Sequence, residues 1–159
     1  MDTKKRPIEI SETTARELYK TAANELKVIL EDTFGKEFFC VKITDRVKTY
    51  KDACVEIGET PVDEAKMLEV GFTMDEIAYR KIKTITKALN EGWTPNWSDS
   101  NQKKWGVWFD LSSGFTFYNA DYRYSAAYAG NGSRLCFKSS ELAEYAGKQF
   151  ADIYGTFIS

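Results

Sequence analysis

The stretch Trp105-Gly106-Val107-Trp108-Phe109-Asp110-Leu111-Ser112-Ser113-Gly114-Phe115-Thr116-Phe117 alternates with the period of two that a β-strand imposes on its side chains. Trp105, Val107, Phe109 and Leu111 share one parity, and Gly106, Trp108 and Asp110 share the other. Ser112-Ser113-Gly114 supplies a turn, after which Phe115 and Phe117 resume the alternation, so the segment predicts a β-hairpin. The parity holding Trp105, Phe109, Phe115 and Phe117 is the expected buried side. Trp108 then points the other way, beside Gly106 and Asp110.

Upstream of the hairpin the period is helical. Trp93-Thr94-Pro95-Asn96-Trp97-Ser98 is a loop by its proline and its backbone-competing Asn and Ser. Before it, Thr73-Met74-Asp75-Glu76 is a capping box flanked by Phe72 and Ile77, a candidate hydrophobic staple. The helix it opens carries a buried stripe of Ala78, Ile82, Ile85 and Leu89, runs to about Asn90 and stops at Gly92. Lys81, Lys83 and Lys87 form its solvated face. Thr60-Pro61, followed by Asp63 and Glu64, predicts a short helix to about Leu68. Thr49 with Asp52 predicts another, ended by Gly58. Ser11 caps an amphipathic helix to about Thr33, with Gly35 as its stop. Phe38, Phe39, Val41 and Ile43 then fit either a short strand or an extended connection.

Downstream, Tyr122, Tyr124 and Tyr128 lie in a segment without a clear period that ends at Gly130-Asn131-Gly132. Residues 134–138 predict a third strand, and Ser139 or Ser140 caps a terminal helix lined by Leu142, Tyr145, Ala146, Phe150, Ile153, Tyr154 and Phe157. This order gives an α+β fold: a helical N-terminal half, a small antiparallel sheet with a hairpin, and a C-terminal helix packed on the sheet. Residues 1–10 form a flexible leader, and residues 11–159 a single α+β domain.

Composition narrows the function. A hydrophobic content of 43% and a charged content of 29% are ordinary for a folded domain. With 22 basic and 24 acidic residues the net charge is −2, which removes any global electrostatic pull toward nucleic acid or anionic membrane. Lys4, Lys5 and Arg6 are not followed by the apolar run of a secretory signal, and no stretch reaches the ~20 apolar residues of a membrane helix. A cytoplasmic protein with no membrane partner is expected. Cys40, Cys54 and Cys136 are odd in number and widely spaced, which predicts free buried thiols rather than a disulfide or metal site. The chain contains no histidine, so Ser-His-Asp and Cys-His nucleophiles, common zinc sites and imidazole bases are excluded.

The remaining functional signal is aromatic. Residues 93–128 hold 11 of the 23 aromatic side chains, and flat amphipathic rings suit stacking and interface contacts. Core packing claims about half of them. Trp97, Trp108, Tyr122 and Tyr124, with the nearby cations Arg123 and Arg134, are the candidate ligand-binding residues. Residues 93–138 carry Lys103, Lys104, Arg123, Arg134 and Lys138 against Asp99, Asp110 and Asp121, a balance of +2 against −4 for the rest. That excess is in the direction single-strand binding needs, though small. Gly130-Asn131-Gly132-Ser133 precedes a strand and not a helix, so it reads as a turn and not a phosphate loop. Asp99, Asp110 and Asp121 are the acids through which a carboxylate-dependent enzyme would act. No catalytic residue, cofactor or metal is assigned.

Three blocks carry a resemblance. They run from Ile43-Thr44-Asp45-Arg46 to Cys54, from Lys87-Ala88-Leu89-Asn90-Glu91-Gly92-Trp93 to Trp97, and from Gly132-Ser133-Arg134-Leu135-Cys136-Phe137-Lys138 to Phe150. Together the blocks resemble uncharacterised small proteins of Bacteroidetes phages, prophages and mobile elements. The resemblance implies a bacterial host cytoplasm and a place in the virion as a second setting, and it brings no activity with it. The expected function is a non-enzymatic binding or accessory protein whose partner is a protein, single-stranded nucleic acid or a small ligand, with homo-oligomerisation as a further expectation. Its competitor is a structural or assembly component of a virion.

Overall fold

The computed structural model describes residues 9–112, 114–123 and 133–158. Tyr124, Tyr128, the Gly130-Asn131-Gly132 turn and the basic residues of the leader lie outside the described residues. The fold is α+β, with a helical N-terminal half, a two-stranded antiparallel sheet and C-terminal helices packed on that sheet. The chain forms two compact units, Met1–Lys42 and Ile43–Ser159, both of which the expected span 11–159 touches.

In the first unit, Ser11 caps α1, Glu12–Thr21, by accepting from the Thr14 N–H at 3.1 Å. The sequence predicts one helix to about Thr33, but Ala22 and Ala23 are extended and a second helix, α2, spans Asn24–Phe34. The bend has a packing cause. Twelve residues of straight helix would hold Tyr19 and Glu31 about 18 Å apart, whereas the folded-back pair lets the Tyr19 hydroxyl donate to Glu31. Gly35, at φ +84°, ends α2 as expected. The residues read as strand or extended connection are instead helical, in α3, Lys36–Cys40, and α4, Ile43–Arg46. Spacings of four and five from Phe34 bring Phe38 and Phe39 around its ring, which a strand would scatter to opposite sides.

The second unit holds the main core. α5, Tyr50–Ile57, opens with the full Thr49/Asp52 capping box and closes on left-handed Gly58. α6, Glu64–Glu69, starts three residues later than the proline suggests, because the Tyr50 hydroxyl takes the Val62 N–H and Asp63 provides the cap. α7, Met74–Leu89, begins at its capping box, where the Thr73 N–H donates to Glu76 at 2.8 Å. The predicted stripe Ala78, Ile82, Ile85 and Leu89 is buried.

The hairpin consists of β1, Lys104–Asp110, and β2, Thr116–Arg123, so the segment around Tyr122 left without a period is strand. The third strand does not form. Residues Ser133–Leu135 make a 3-10 turn, and Phe137 alone bridges Trp105, through two hydrogen bonds of 2.8 and 3.0 Å. The 3-10 turn before Phe137 and the Ser139 cap of α8 after it stop the ladder there, and the backbone groups of its two neighbours, which point away from β1, are held by Asn90. Its side-chain amide donates to the Cys136 carbonyl at 2.9 Å and accepts from the Lys138 N–H at 3.0 Å.

The terminal helix is also two. α8, Ser140–Gln149, is capped by Ser139, and after buried Phe150 the chain re-enters α9, Ala151–Ile158. α8 lies against both strands and α9 along α7, two directions that one straight rod could not satisfy. At the point where α8 crosses the sheet stands Gly147. A Cβ there would lie 2.4 Å from Phe117 Cδ2 and 2.6 Å from Val107 Cγ1, so the absence of a side chain sets how closely helix and sheet meet.

Candidate functional site

The hairpin sorts its aromatic residues by parity. Trp105, Val107, Phe109, Phe115 and Ala120 pack against the core, with Phe109 stacked on Phe115 at 4.4 Å and tilted against Tyr154 at 5.1 Å. The opposite side carries Gly106 across from Asp121 and Trp108 across from Asn119. Between Trp108 and Phe109 the register shifts, which makes Tyr118 an extra residue with no partner in β1. Two consecutive side chains, Tyr118 and Asn119, are therefore exposed. Tyr118 is 70% exposed and Trp108 47%, and the Arg123 guanidinium lies 5.9 Å from the Trp108 ring. Leu111 is exposed at the hairpin's turn.

Tyr122 borders this surface from the buried parity. It sits edge-on to Trp105 at 4.8 Å, and the Lys103 ammonium lies 4.5 Å from its ring. The Asp121 carboxylate accepts from the Tyr122 N–H at 2.7 Å. Trp108, Tyr118 and Arg123 thus form one patch, with Tyr122 and Lys103 at its margin.

The other expected site residues stand apart. Trp97 is half-buried in its loop, where the Lys104 ammonium approaches its ring at 5.4 Å. Lys104 is only 3% exposed and donates to the carbonyls of Asp99 and Gln102, both at 2.9 Å, so Trp97 helps to cover a structural lysine. Arg134 is exposed in the 3-10 turn that leads to Phe137, on the side of β1 away from β2. Tyr124 lies outside the described residues. Tyr118 and Lys103 complete the patch; alternation from Phe117 already places Tyr118 on the outer side, whereas the register shift that turns Tyr122 to the side of Trp105 leaves no mark in an apolar alternation.

Each acid of the aromatic segment serves its own backbone. Asp99 accepts from the Asn101 N–H at 2.8 Å, and Asp110 from the Ser112 N–H and hydroxyl at 2.8 and 2.6 Å. Those Ser112 bonds hold the Asp110 carboxyl below its ordinary pKa, so it is ionised at neutral pH and poorly suited to act as an acid. Cys54 and Cys136 are buried, and burial raises the Cys136 pKa, which keeps that thiol protonated. Among the described residues no group of three or more Cys, Asp or Glu side chains could hold a metal ion, and no helix is long and apolar enough to cross a membrane.

Away from the hairpin, α7 and α9 border a cleft of about 410 Å³ walled by Phe72, Tyr79 and Phe157. Arg80 and Lys83 stand on its rim, with Asp75 and Glu76 toward the start of α7. A depression of about 130 Å³ lies between Met74, Ile77 and Ile153. No tryptophan lines either one. The signal for the larger cleft was present in Tyr79 and Lys83, but a one-dimensional pattern gives no means of bringing Phe157 to them. Comparison of the chain with protein-family models, with curated proteins and with solved structures finds no match.

Proposed function

We propose that the chain is a non-enzymatic binding protein that docks a protein partner through the outward surface of its hairpin. The observation that carries this reading is the exposure of Trp108 and Tyr118 together, beside Arg123, on a strand pair whose other side is anchored in the core. Trp, Tyr and Arg are the side chains that dominate binding energy at protein interfaces, because they offer large rigid area with a polar handle. Rings on a two-stranded ribbon also lose little freedom on binding. The patch's charge favours protein over nucleic acid, since Arg123 and Lys103 are offset by Asp121 and Asp110, whereas a phosphate chain needs a basic track. The setting we propose is a bacterial host cell carrying a phage, prophage or mobile element, as the resemblance implies.

The test is affinity capture from such a host with the full chain, run beside Trp108→Ala and Arg123→Glu. A partner that binds the unaltered chain and is lost from both variants, with their circular dichroism unchanged, supports the reading. Equal capture by all three would overturn it. Quenching of tryptophan fluorescence by an oligonucleotide at low salt, relieved at high salt, would reassign the surface to single-stranded nucleic acid. Concentration-dependent light scattering abolished by Trp108→Ala would reassign it to self-assembly.

A further inference from the structure

We infer that the cleft between α7 and α9 is a binding site for a small planar aromatic anion, independent of the hairpin surface. Its volume of about 410 Å³ falls in the range of small-molecule pockets. Its walls are rings. Tyr79 and Phe157 stack at 5.5 Å with 30° between their planes, and Phe72 faces the Arg80 guanidinium at 4.8 Å. Such a wall accepts a flat apolar body by stacking.

The charges decide what that body should carry. α7 has Arg80, Lys81, Lys83 and Lys87 along its length. Lys81 is paired with Glu64 at 2.8 Å and Lys87 with Glu59 at 2.7 Å. Arg80 and Lys83, the two that line the cleft, have no carboxylate within ion-pair distance among the described residues, and each lies over a ring instead. Lys83 acts on Glu59 through space only, as the weakest of the influences on that carboxyl. Of the two acids present, Glu76 is turned back to the Thr73 N–H and hydroxyl in its capping box. Asp75 remains as an opposing charge. An aromatic ring against Tyr79 and Phe157, with its anion between Arg80 and Lys83, satisfies both rings and cations; Asp75 then weakens the anion's binding.

The probe is 8-anilinonaphthalene-1-sulfonate, followed by fluorescence on the full chain, with its sulfonate-free analogue N-phenyl-1-naphthylamine as the neutral control. One saturable site per chain is expected, and the double variant Arg80→Gln/Lys83→Gln should weaken it by about tenfold or more. Both side chains are exposed, so this variant retains the fold. Asp75→Asn should tighten binding a few-fold, as removal of a like charge does, and Trp108→Ala should leave it unchanged. Absence of saturable binding, equal affinity in the double variant, or equal affinity for the neutral analogue would each overturn the assignment. Because Trp108→Ala separates the two surfaces, loss of the hairpin reading leaves this one standing, and the reverse.

Discussion

Both sides of the β1–β2 hairpin carry aromatic rings, more of them on the core side, and the two sets meet opposite fates. On one side Phe109, Phe115 and Phe117 are laid against α8, α9 and the core; on the other Trp108 and Tyr118 meet solvent. Aromatic richness therefore says nothing about function until parity is known. Helix packing on the core side, and the register shift that turns Tyr122 toward that side, are what divide structural rings from available ones.

The most severe way to break the buried side is through the glycine under it. Gly147→Val should destabilise the protein by about 3 kcal/mol, the upper range for overpacking, because its Cβ alone would collide with Phe117 and Val107. Chemical denaturation reads this directly, and a loss near zero would mean that α8 can lift from the sheet at no cost. Phe109→Ala comes next, at ~2–3 kcal/mol, since its ring touches both Phe115 and Tyr154 but is only partly buried. Asn90→Ala should cost about 2 kcal/mol by leaving the Cys136 carbonyl and Lys138 N–H without their partner, and it should raise hydrogen exchange at the Lys138 amide. Trp108→Ala, on the exposed side, should change stability by less than ~0.5 kcal/mol while removing partner binding. A loss comparable to Phe109→Ala would erase the distinction between the sides.

The smallest effect is a pH-dependent one elsewhere on α7. The Lys87 hydrogen bond holds the Glu59 carboxyl below its ordinary pKa. A lowered folded-state pKa means stabilisation that is present above the unfolded carboxyl's pKa and lost as pH falls through the lowered value. Glu59→Gln should therefore cost under ~0.5 kcal/mol at neutral pH, the pair being largely exposed, and nothing in strong acid. Denaturation midpoints at the two pH values check the sign.

Local chemistry made much of this fold legible. Capping boxes at Thr49 and Thr73 mark helix starts because the same few atoms that define the motif also make the bonds. Hairpin parity is equally local. What could not be read depends on distant partners. The bend at Ala22–Ala23 exists for Tyr19 and Glu31, and the break at Phe150 exists because α8 and α9 answer to different neighbours. Residues 134–138 look like a strand by composition, yet the 3-10 turn at Ser133–Leu135 and the helix cap at Ser139 leave only Phe137 to pair, and Asn90, far away in sequence, fixes the residues on either side of it. In the candidate site, Trp108, Tyr122 and Arg123 come together at or beside one surface, whereas Trp97 is occupied over Lys104. Trp97 looked available because a loop in sequence carries no record of the lysine ammonium it would come to shelter.

The unpaired residue in β2 also bears on how neighbouring molecules meet. An extra amino acid in one strand bends and twists the ribbon locally, so its outer rim is not the flat row of amides that another strand could zip onto. Copies brought close in a crowded cell would find ring surfaces to touch but a poor template for fibre growth, and a chain shortened by that one tyrosine would lose this protection while keeping every other pairing in the ladder.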